Sequence, residues 1–200
     1  MLNRRMFLKM MAFATLGMSL ETLTNVSAKS RSPFEATEPM IYKRLLDFTE
    51  YEKRADTDFI VIHHTGFPEV DKDSTVVDIH KLHQEVNGWA GVGYHYLIRK
   101  DGMIEQGRRP DMIGAHALHY NKTSIGICLA GNFDIGTPTR AQMDSVKELT
   151  SWLCSKYNID THKKGFILGH RDLNDTACPG DNLYRELDEI RNFCKYNGTW

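Results

Sequence analysis

The sequence predicts a single α/β domain in which a central mixed β-sheet is flanked by helices. Three observations lead there. Short β-branched and aromatic runs alternate with helical repeats, giving the order β, α, β, β, β, α, β, α. The 200 residues, 41% hydrophobic and 26% charged, suit one domain with a real core. No internal repeat or low-complexity tract divides the chain.

The first segment reads as a targeting signal. Asn3-Arg4-Arg5-Met6-Phe7-Leu8-Lys9 precedes an apolar stretch, 10–20, that is too short to span a membrane of about 20 residues' depth. Val26-Ser27-Ala28 supplies small residues for cleavage, so residues 1–28 are assigned to a signal peptide and the mature start to Lys29. The arginine pair resembles a twin-arginine export signal, with Asn3 where that pattern prefers Ser or Thr. An ordinary secretory signal is the alternative. Either route predicts a periplasmic or extracellular protein with no stable membrane anchor after cleavage.

Residues 29–57 read as a polar lead-in with a short helix over 42–51. Phe59-Ile60-Val61-Ile62-His63 is continuously β-branched or aromatic, the pattern of a strand buried on both faces. Asp73, Ser74 and Thr75 are N-cap candidates for a helix with apolar residues at Val76, Ile79, Leu82 and Val86, stopped by Asn87-Gly88. Residues 94–99 and 103–106 flank Lys100-Asp101-Gly102 as a hairpin, since glycine accepts the positive φ such turns need. A strand follows at 124–130. Pro138-Thr139 opens a long amphipathic helix carrying Met143, Val146, Leu149, Trp152 and Leu153. A short strand at 166–168 delivers His170, and a helix over 183–193 closes the domain. The domain is placed at 58–195, with 196–200 as a tail.

Charge narrows the chemistry. The formal net charge is −1, with no run of like charges to follow a phosphate backbone, so nucleic acid is not an expected partner. Four cysteines allow three complete pairings. Cys128 sits in the apolar run Ile125-Gly126-Ile127-Cys128-Leu129 and reads as a small buried hydrophobe. Cys154 and Cys194 stand near the ends of helical patterns and can pair if those ends meet.

His63, His170 and Cys178 carry the sharpest signal. Catalytic zinc is held by three protein ligands and keeps a fourth position for water, and these residues supply three. His63 ends a strand, while Gly169-His170-Arg171 and Cys178-Pro179-Gly180 form one polar segment. His64 falls on the opposite face of the strand by the period of two. His80 and His83, one helical turn apart, read as surface or groove residues because no third ligand joins them.

Ile62-His63-His64-Thr65, Trp89 with Gly93-Tyr94-His95-Tyr96, Gly114-Ala115-His116-Ala117, Ser124-Ile125-Gly126-Ile127, Gly131-Asn132-Phe133 and the His170 to Cys178 segment occur in a fixed order. Together they resemble the successive signatures of the peptidoglycan-recognition protein and type 2 N-acetylmuramoyl-L-alanine amidase family. The resemblance implies Zn2+-dependent cleavage of the amide between N-acetylmuramic acid and L-alanine, with peptidoglycan or muropeptides as partners; a monomer is the separate expectation for the chain. It implies His63, His170 and Cys178 as metal ligands, Tyr94 and Thr176 as catalytic residues, and Trp89, His116 and Asn132 at the substrate groove. Three rivals stand beside it. One is a recognition protein that binds peptidoglycan without cleaving it, one a metal-free thiol hydrolase using Cys178 and His170, and one a cytosolic recycling amidase.

Overall fold

A computed structural model of the chain describes residues 36–197, so the segment assigned to a signal peptide lies outside the described residues. Strands β1 (Ile41–Lys43), β2 (Phe59–His64), β3 (Tyr96–Ile98), β4 (Ile104–Gln106), β5 (Ser124–Leu129) and β6 (Ile167–Gly169) form one sheet in the order β1-β4-β3-β5-β2-β6. Among these strands only β3 and β4 run antiparallel, joined through the Gly102 turn; every other neighbouring pair is parallel. Helices α1 (Val76–Glu85), α2 (Arg140–Tyr157), α3 (Asp181–Tyr184) and α4 (Leu187–Asn197) cover the sheet.

Side-chain alternation sorts the core into two layers. In β5, Ile125, Ile127 and Leu129 join Ile60 and Ile62 of β2 under α2 and α4, where Leu149, Leu153, Leu187 and Ile190 meet them. Cys128 points the other way and packs with Leu97, Val76, Ile79 and Val92 beneath α1. Helices α1 and α2 each begin with a reciprocal cap: Thr75 pairs with Asp78 at α1, and Thr139 with Gln142 at α2. These are the helix starts that the sequence predicts.

The lead-in departs from expectation. No helix forms over 42–51; Ile41–Lys43 instead pairs in parallel with Ile104–Gln106. Arg44 then reaches the fully buried Glu105, whose other oxygen accepts the Val76 N–H at the start of α1. Phe48 and Leu46 pack against the α1 layer, and Arg54 donates to the carbonyls of Pro110, Met112 and Ser124. Long-range partners, which a short polar window does not reveal, select strand over helix here. The folded unit therefore starts well before residue 58. At the other end α4 runs to Asn197, past the expected tail boundary, and α3 with α4 replaces the single closing helix.

Candidate metal centre

The parallel arrangement of β2, β5 and β6 brings their carboxyl ends to one edge, where open α/β sheets bind ligands. His63 lies near the end of the β2 ladder. Ile62 pairs with Gly169, so His170, the first residue after β6, arrives beside it. The loop that follows carries Cys178 back to the same point. Arg171 fixes that loop: its N–H donates to the Cys178 carbonyl at 2.8 Å, and its guanidinium binds Asp181 and the Ala177 carbonyl.

One ligand atom each from His63, His170 and Cys178 lies within 4.8 Å of the others, which is the one such His/Cys/Asp/Glu group found among the described residues. The donor set fits zinc. A tetrahedral centre with Zn–N of about 2.05 Å and Zn–S of about 2.3 Å requires an N···S separation of about 3.6 Å. His63 Nδ1 and Cys178 Sγ stand 3.6 Å apart.

The remaining nitrogens are oriented by partners. His63 Nε2 is 3.1 Å from His116 Nδ1, and His170 Nε2 is 3.1 Å from Asn174 Oδ1. Both arrangements leave Nδ1 for the metal. Burial pushes His63 well below the ordinary histidine range and lowers His170 as well, so both are neutral imidazoles, the ligating form, at neutral pH. Burial pushes the Cys178 thiol up to about 12, while the His64 N–H, 3.5 Å from Sγ, favours the thiolate. A cation between the three would offset that burial cost directly.

Around these groups the sequence expectations separate. Tyr94 comes to the centre: its ring lies 5.1 Å from that of His63, and it packs against the cluster that holds Cys128, the residue paired with His63 across β2 and β5. Burial raises the Tyr94 hydroxyl well above its usual pKa, so it keeps its proton. Thr176 Oγ1 accepts the Cys178 N–H at 3.2 Å and so sits in the ligand loop itself. Trp89, 43% exposed, stacks edge-on with His83 at 4.7 Å, and His83 meets Tyr94 at 5.7 Å, forming an aromatic wall from solvent to the centre.

Two expected groove residues are placed differently. His116 is only 7% exposed and stands behind His63 instead of facing outward; burial pushes it down to about 3. Its ring occupies a slot made by two glycines, since a Cβ at Gly126 or Gly114 would meet it at 2.5 or 2.4 Å. Asn132 is 6% exposed, and its amide donates to the Phe67 carbonyl and accepts the Asp134 N–H, both at 3.0 Å. It shapes a loop. Of the expected surface or groove positions, neither His80 nor His83 is at the surface, and His83 is on the groove side between Trp89 and Tyr94; their Nδ1 atoms accept the N–H groups of Val92 and Gly93.

Sequence reasoning missed Asn174 and Cys128 as neighbours of the centre. Asn174, four residues after His170 in the same polar segment, was open to detection as a histidine partner. Cys128 was not, because its pairing with His63 exists only in the sheet register.

The chain is similar to several known proteins. Residues 53–181 match the family Amidase_2, described as N-acetylmuramoyl-L-alanine amidase. Peptidoglycan-recognition protein LB of Drosophila melanogaster is 37% identical over 146 residues, covering 70% of this chain and 62% of that protein. This chain thus spans less than two thirds of that relative's length. A solved structure of a Drosophila PGRP-LB mutant in complex with tracheal cytotoxin has a TM-score of 0.65 at 33% identity, covering 74% of this chain and 92% of that one. The endolysin of Klebsiella phage KP32 is 36% identical over 141 residues, 68% of this chain and 89% of that one. The N-acetylmuramoyl-L-alanine amidase LysC from Clostridium intestinale URNW superposes with a TM-score of 0.70 at 34% identity, over 81% of this chain and 100% of that one.

Proposed function

The chain belongs to the N-acetylmuramoyl-L-alanine amidase family, and from that premise we propose that it hydrolyses the amide joining N-acetylmuramic acid to L-alanine, in peptidoglycan or in muropeptides released from it. The observation that carries the reading is the completeness of the centre, with two histidines, one cysteine and a buried tyrosine hydroxyl around one point. A member kept only for binding has no need of all four.

His63, His170 and Cys178 would hold zinc. When bound there, the metal supplies Lewis acidity and brings the pKa of water from 15.7 to about 7. Everything else falls to the chain. His116 and Asn174 accept the Nε2 protons of the two histidines and fix their tautomers. Tyr94 remains protonated at neutral pH and donates to the oxygen that becomes negative as the amide carbonyl turns tetrahedral. Thr176, anchored beside Cys178, orients the attacking water or that same oxygen. Trp89 and His83 line the approach and hold the substrate against the wall. Water adds across the bond, leaving the lactyl carboxylate and a free peptide amine.

The test is steady-state kinetics on a defined muramoyl peptide, with zinc measured on the same sample. The wild-type protein is expected to bind zinc stoichiometrically and to release the peptide amine. Cys178→Ser should lose metal and activity together. Tyr94→Phe should keep its zinc and lose about 10²-fold or more in kcat, the scale of one oxyanion donor. Full activity after exhaustive chelation overturns the zinc reading; peptide binding without amine release overturns hydrolysis in favour of a binding module.

A further inference from the structure

Helices α2 and α4 lie side by side over the face of the sheet opposite α1, with Leu149, Leu153, Leu187 and Ile190 between them. Two cysteines sit in that seam. Cys194 Sγ donates to Thr150 Oγ1 at 3.3 Å, and Thr150 is one helical turn before Cys154 on the same stripe of α2. Cys154 and Cys194 both belong to the buried cluster that fills this seam. Cys128 is under α1 on the other face, and Cys178 is in the metal-centre loop, so neither shares this seam.

We propose that Cys154 and Cys194 are a covalent modification site, closing as a disulfide that ties α4 to α2 when the protein meets an oxidant of the disulfide class. Interaction with the neighbouring Cys154 lowers Cys194 below the usual thiol range and raises Cys154, which makes Cys194 the attacking sulfur. Its thiolate attacks one sulfur of the oxidant, the oxidant's S–S bond breaks, and one thiol leaves as a mixed disulfide forms on Cys194. Cys154 then loses its proton and attacks the Cys194 sulfur. The second thiol departs carrying that proton, so two protein thiols become one disulfide while one oxidant disulfide becomes two thiols.

Both side chains are 3% exposed or less, so the oxidant gains entry only when α4 lifts from the core. Oxidation then records that opening and ends it, because the new bond closes a long chain segment and removes freedom from the unfolded state.

The experiment uses the full chain, reduced, then equilibrated with oxidised glutathione near its thermal midpoint so that α4 opens. Thiols counted under denaturing conditions should fall from the four of the reduced protein to two. Peptide mapping should find residues 154 and 194 linked. The thermal midpoint should rise by about 5–15 °C, and dithiothreitol should reverse it. Cys194→Ala should bind zinc like the wild type, retain Cys154 as a free thiol and show no oxidative rise. Persistence of all four thiols, or a linkage that includes Cys128 or Cys178 in place of this pair, overturns the proposal.

Discussion

The imidazole of His63 has two nitrogens, and its surroundings give each a separate task. Nδ1 faces Cys178 Sγ, while Nε2 faces His116 Nδ1. His116 is thereby a positioning residue, and its loss leaves His63 with an unpartnered buried N–H and a ring free to rotate. His116→Ala is expected to weaken zinc binding by about 10–100-fold, the range for removing a histidine ligand's hydrogen-bond partner. His116→Gln, whose Oε1 can accept the same proton, should recover part of the loss. A chelator competition titration measures both; equal zinc affinity in the alanine variant would return His116 to a packing role. The convergence of His63, His170 and Cys178 was legible because two histidines at strand ends and a cysteine eight residues after the second suit a three-donor metal site. The depth of His116 was not, since burial behind a strand depends on glycines at 114 and 126 lying across from it, and a motif read along the chain carries no depth.

Among the elements, α2 shows how a cap can also act as a clamp. Gln142 completes the capping box by accepting the Thr139 N–H, and its amide nitrogen donates to the carbonyls of Ile98 and Ala130, at the ends of β3 and β5. One fully buried side chain thus holds a helix start to two strand ends. Replacing it with leucine leaves the buried Ala130 carbonyl unsatisfied and removes the acceptor of the Thr139 N–H, while Ile98 keeps the Ala130 N–H, at a cost of about 2–3 kcal/mol. Gln142→Leu should therefore lower the thermal midpoint by about 5–10 °C with zinc content unchanged. A calorimetric scan paired with metal analysis checks it, and an unshifted midpoint would mean that water satisfies the Ala130 carbonyl. Elements of this kind were readable locally: Pro138-Thr139 and the period of α2, the alternation in β5, and Gly102 in the hairpin each state a structure within a few residues. β1 was not, because three residues become a strand only through β4.

At the scale of the whole molecule, the order of elements from β2 to β6 and the single layered core follow from the sequence, whereas the domain boundary does not. Residues 1–28 are proposed to direct export, on the strength of Arg4-Arg5 ahead of a short apolar stretch. Among the described residues no helix is long and apolar enough to cross a membrane. Replacing Arg4 and Arg5 by lysine should retain the protein in the cytoplasm if the twin-arginine route is used; fractionation that finds unchanged export would assign it to the general secretory route. The same view revises what counts as the transferable unit. Arg44, Phe48 and Arg54 all precede residue 58, yet they neutralise Glu105, brace α1 and tether the 110–124 segment. A fusion protein begun at 58 would inherit a sealed carboxylate with no counterion and a helix with one side bare. Anyone grafting this domain onto another carrier has to take its preceding stretch along, for the fold treats that stretch as a wall of the building and the primary structure shows it only as a path to the door.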